Sequence, residues 1–82
     1  METLKDIVGQ MSEETFATVK KVIIADYSVD DLLLLLSYRK NCNENLFEIF
    51  NWREDYLELL NINLYVIIQR ILLELNTFLI AV

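Results

Sequence analysis

Residues 64–82 read LYVIIQRILLELNTFLIAV, and within them Leu64, Ile67, Ile68, Ile71, Leu72, Leu75, Phe78, Leu79 and Val82 recur at helical i, i+3, i+4 spacing. On a helical wheel they fill one arc of roughly 140°, with Gln69, Arg70, Glu74, Asn76 and Thr77 on the other side. This predicts a long helix with a broad buried face. The polar side carries a second, narrower apolar stripe of Val66, Leu73 and Ile80, seven residues apart, which predicts contact with a further surface. A carboxylate at the centre of the broad arc, as in Ile71→Asp, should unfold the domain.

Working outward, 82 residues make one domain, 1–82, near the lower size at which a chain folds without disulfides or metals. The hydrophobic content of 55% exceeds the usual share for so small a volume, so apolar surface is left for a partner or a second copy. No proline and a single glycine, Gly9, remove the punctuation of hairpins and long loops and favour an all-α chain with short connections.

The N-terminal half divides at its caps. Leu4, Ile7, Val8 and Met11 share one face of a first short helix that Gly9 and Ser12 close. Ser12 caps a second helix, with Glu13 and Glu14 in its first turn and Phe16, Val19, Val22, Ile23 and Ile24 turned inward, running to about Asp26. Ser28 repeats the device, with Asp31 as an acidic capping-box partner and Asp30 beside it. In the third helix Val29, Leu32, Leu33, Leu35 and Leu36 are expected to cover the core, leaving Leu34 exposed on the side of Asp30 and Tyr38. Arg39 and Lys40 close it, where cations favour the C-terminal dipole. Leu46, Phe47, Ile49 and Phe50 suggest a short fourth helix. A fresh cap at Asn51 opens a segment with Trp52, Tyr56, Leu59 and Leu60 on one side, and Asn61, Ile62 and Asn63 are read as a joint before the final helix. The expected architecture is a compact bundle of five or six short helices with a long apolar C-terminal one.

Composition excludes several functions. A net charge of −6 with scattered basic residues argues against nucleic-acid binding. No histidine and no Gly-rich loop leave general-base, metal and phosphate chemistry without their usual groups, so no enzyme activity, cofactor or metal is expected. Glu54 and Glu58 lie one turn apart, but such pairs usually belong to a solvated face. The lone Cys42 fits a reducing, cytoplasmic setting. Arg70 and Glu74 would cost several kcal/mol together in hydrocarbon, so no membrane span is expected.

Tyr27 and Ser28, then Leu32, Leu35, Leu36, Tyr38 and Arg39, then Asn45, Leu46 and Ile49 form a pattern that resembles the small death-fold modules. The closest likeness is to bacterial effector-associated domains, and a more distant one is to death-effector domains. Trp52, Glu54, Leu57, Leu59 and Leu60 resemble the family's later Trp-containing helix. The resemblance covers about half the chain. It implies a death-fold-like bundle acting as a non-catalytic adaptor that assembles effector proteins by like-with-like contact in cell-death or bacterial conflict signalling. The partner would be the chain itself or a similar helical domain, in a homo-oligomer. The alternative is a small obligate homodimer acting as an inhibitor, antitoxin, immunity or phage protein. The expected interface comprises Leu34 and Tyr38, basic Arg39 and Lys40, acidic Asp30, Asp31, Glu54 and Asp55, and the stripe Val66, Leu73 and Ile80.

Overall fold

Thr3, Ser12 and Ser28 each stand one residue before a helix, in extended backbone, and each side chain accepts a hydrogen bond from the backbone N–H three residues on. These caps satisfy donors that a helix start would otherwise leave open, and they delimit α1 (Leu4–Gln10), α2 (Glu13–Asp26) and α3 (Val29–Ser37). A further helix, α4 (Glu54–Ala81), follows; the elements among the described residues are all helical and no strand occurs among them. The computed structural model describes residues 2–39 and 52–81, with side chains described as far as residue 76.

Two of the three caps are full capping boxes. At Ser28, the Asp31 side chain accepts from the Ser28 N–H at 3.3 Å and from its hydroxyl at 2.7 Å, as the sequence predicts. The same reciprocal pair joins Thr3 and Asp6 at the start of α1, a box that the sequence reading missed. Hydrogen bonds from Thr3 hold the Asp6 carboxyl below its ordinary range. Gly9 does not end α1 but lies inside it, and a Cβ there would meet only the Tyr38 carbonyl oxygen at 3.9 Å, an ordinary contact.

The core is built from Leu4 and Val8 of α1, Val19 and Ile23 of α2, Leu34 and Leu35 of α3, and Leu60, Leu64, Ile67, Ile68 and Ile71 of α4. Each large side chain buried in this way contributes roughly 1.5–3 kcal/mol. Leu34, expected to be exposed, is fully buried, while Val29, expected in the core, is 69% exposed. The physical reason is rotational ambiguity. Five consecutive leucines carry no polar mark, so the helix turns to satisfy the polar groups at its ends. Asp31, Leu34, Leu35 and Tyr38, at i, i+3, i+4 and i+7, form the inward face because Asp31 caps from within and Tyr38 donates its hydroxyl to Asn61 of α4 at 2.7 Å. On α2, Ile24 likewise stays outside, 58% exposed.

The largest departure from expectation lies in α4, which runs without a break through Asn61, Ile62 and Asn63, so that two expected helices are one of 28 residues. At 1.5 Å per residue such a helix is roughly 42 Å long, matching the 44 Å long axis of the molecule. Continuity fixes its phase. Leu60 joins Leu64, Ile67, Ile68 and Ile71 on the buried face, with Leu72 and Leu75 packed partly against it, and Leu59 is turned outward at 56% exposure. The expected short helix at residues 46–50 lies outside the described residues, as do the side chains of Phe78, Leu79, Ile80 and Val82.

A second correction concerns membranes. The segment Glu54–Asn76, with a mean hydropathy of 1.3 and 22% of that window buried, is long and apolar enough to cross a bilayer. Charge counting at Arg70 and Glu74 therefore does not exclude a span, and the expectation of none does not stand. Length and composition alone are weak grounds for one, because core helices pass the same test.

Candidate interaction surface

The expected interface residues fall into five groups. Leu34 and Asp31 are buried, the first inside the core and the second at its edge as a cap; the second carboxylate oxygen of Asp31 is buried with no hydrogen-bond partner. Neither presents a surface. Lys40 and the side chain of Ile80 lie outside the described residues.

Arg39 and Tyr38 turn inward to hold the fold. One guanidinium nitrogen of Arg39 donates to the carbonyls of Val8 at 2.9 Å and Met11 at 2.7 Å, and the other donates to Glu13 at 2.9 Å. These carbonyls belong to the end of α1, where four acceptors lack helical donors, so Arg39 caps α1 from α3. Its guanidinium also lies over the ring of Phe16, 4.5 Å from the centroid. The side chain is 11% exposed. Arg39 was expected to steady its own helix; its reach instead clamps α1 and the start of α2 against the end of α3. Burial pushes the Tyr38 hydroxyl above its ordinary value.

Asp30, Glu54 and Asp55 lie where α3 and α4 begin. The Tyr56 hydroxyl donates to the Asp30 carboxylate, and this bond, ahead of desolvation and the charges of Asp30 and Asp31, raises the Tyr56 pKa. Trp52 packs edge-on to Tyr56, with centroids 6.5 Å apart. Asp55 pairs with Arg53 at 3.0 Å in an exposed contact that contributes little. Glu54 and Glu58 are exposed and have no ion pair among the described residues. No group of three or more metal-binding side chains occurs among the described residues.

What remains on the surface is the outer face of α4. Leu59 is 56% exposed, Ile62 55%, Val66 53% and Leu73 66%; their spacing of three, four and seven places them on one stripe opposite the buried arc. Val66 and Leu73 were legible in the sequence as a seven-residue stripe. Leu59 and Ile62 were not, because an assumed joint at 61–63 cut the stripe in two. The missed signal was the unbroken phase from Leu59 to Leu73. A second surface feature is a groove of about 400 Å³ on the outer side of α2, lined by Glu13, Phe16, Ala17, Lys20, Lys21 and Ile24. No family model matches the chain, and comparison with curated proteins and with solved structures likewise finds no match.

Proposed function

We propose that this chain is a non-catalytic interaction module that assembles proteins through helix-to-helix contacts with further copies of itself or similar bundles. Such work is what death-fold adaptors do in cell-death and bacterial conflict signalling. The observation that carries the reading is the outer stripe of α4: a helix already committed to the core on one side exposes Leu59, Ile62 and Val66 by more than half on the other. Isolated exposed hydrophobics are ordinary, but aligned ones rimmed by Glu58, Asn63 and Arg70 have the pattern of an apolar contact with a polar rim.

Sedimentation or light scattering over a concentration series tests this. The natural chain should gain mass with concentration, whereas Leu59→Gln, Ile62→Gln and Val66→Gln together should hold it monomeric with its helical content intact. A natural chain that stays monomeric throughout, or a triple variant that still assembles, would sink the reading.

A further inference from the structure

Two exposed surfaces complement each other in shape class and in charge. The α2 groove has apolar walls at Phe16, Ala17 and Ile24. Phe16 is held in place by the Arg39 guanidinium stacked over it, so this wall is preorganised and little side-chain freedom is lost on contact. The groove's one acid, Glu13, is already paired with Arg39 at 2.9 Å. Lys20 and Lys21 make no ion pair among the described residues, which leaves the groove with two uncompensated positive charges.

The N-terminal half of the α4 stripe is its opposite. Leu59 and Ile62 are flanked by Glu58 and Glu54, one and two turns before Ile62 along the same ridge. The nearby Asp55 is compensated by Arg53, so the stripe's uncompensated charge comes from Glu54 and Glu58. A lipid surface fits this N-terminal half less well, because the carboxylates beside it oppose anionic headgroups and residues 54–63 contain none of the Lys and Arg of interfacial helices.

Resting on the assembly reading above, we infer that the partner surface of the α4 stripe is the α2 groove of a second copy, Leu59 and Ile62 entering between Phe16 and Ile24 while Glu54 and Glu58 meet Lys20 and Lys21. The contact is heterologous: each copy offers one stripe and one groove, and repetition continues until a ring closes or a filament grows. Apolar burial supplies most of the affinity, and the charges set direction and partner choice.

Mixing two defective chains provides the test. A groove variant, Lys20→Glu with Lys21→Glu, and a stripe variant, Leu59→Gln with Ile62→Gln, should each associate with itself at least about tenfold more weakly than the natural chain, since reversed charges oppose the contact and added salt weakens it. Mixed together they should form a one-to-one pair, because one chain keeps a sound stripe and the other a sound groove. Adding Glu54→Lys and Glu58→Lys to the groove variant should restore its self-association. All the substituted positions are exposed, and circular dichroism melts matching the natural chain confirm folding. If the stripe variant dissociates while the groove variant assembles normally and the mixture forms no pair, the groove assignment falls and the assembly reading survives. If the natural chain is monomeric alone and floats with phosphatidylcholine vesicles, both are overturned.

Discussion

Arg39 joins three elements through one side chain. It satisfies two carbonyls at the end of α1, pairs with Glu13 and covers Phe16. Truncation to Ala would take its donor from the Met11 carbonyl and leave the Val8 carbonyl only the Met11 N–H at 3.4 Å; an unsatisfied buried group costs roughly 1–3 kcal/mol, and the Glu13 pair and the Phe16 stacking are lost with it. We expect Arg39→Ala to lower stability by about 3 kcal/mol in urea unfolding, with Arg39→Lys in between because an ammonium cannot reproduce the planar fork. Reversal to Glu should lower the melt further, so a charge reversal at this position cannot serve as a clean probe of surface recognition. An unchanged urea midpoint in Arg39→Ala would refute the clamp.

Tyr56 and Asp30 give a pH signature at the same scale. The Tyr56 pKa is raised in the folded chain by its bond to Asp30; the contribution of that bond is therefore fully present below the ordinary tyrosine value of about 10 and is lost as pH rises through the folded value. Phenolate absorbance should show Tyr56 titrating later than a free tyrosine. Asp30→Ala should bring it earlier while leaving Tyr38, raised by burial alone, where it was. A Tyr56 transition indifferent to Asp30 would remove the contact.

At the scale of the element, the starts of α2 and α3 were legible and the rotation of α3 was not. A cap is local chemistry: Ser12 and Ser28 name their partners within three residues. The inward face of α3 depends on where distant groups accept its ends, Asn61 for Tyr38 and the α1 carbonyls for Arg39, and no local rule contains that information. Continuity of α4 was hidden by asparagines, which read as a joint yet cost a helix interior only a fraction of a kcal/mol. The helix tolerates them because Asn61 accepts from Tyr38 and Asn63 faces solvent. Asn63→Ala should accordingly stabilise the chain by about 0.5 kcal/mol through helix propensity. Were Asn63 a cap at a break, the same change would destabilise by about 1 kcal/mol; thermal melts separate the two signs.

For the whole molecule, α4 is the common floor on which α2 and α3 rest, so local loss there is global loss. Ile71, 4% exposed at the centre of the buried arc, is the position to test. Ile71→Asp places an unpaired carboxylate among Leu64, Ile67 and Ile68, at several kcal/mol against a total of roughly 5–15. The cooperative melt should disappear; survival of a sharp transition near the natural temperature would show that the core does not depend on this face. The inner arc was readable from Leu64 to Leu75 because helical periodicity alone defines it. The outer surface was readable only in part, since exposure is decided by which face the bundle leaves uncovered.

The order of the elements along the chain sets the order in which the ribosome releases them. The leucine run of α3 emerges before any part of the helix that covers it, and α1, at seven residues too short to hold a helix unaided, waits for Arg39 to arrive thirty-one residues after Val8. The core face of Leu34 and Leu35 stays uncovered until α4 is out. Burial of the core is therefore deferred until residues 54–71 have been made, and until then the nascent N-terminal half carries apolar surface that its own helices leave unshielded.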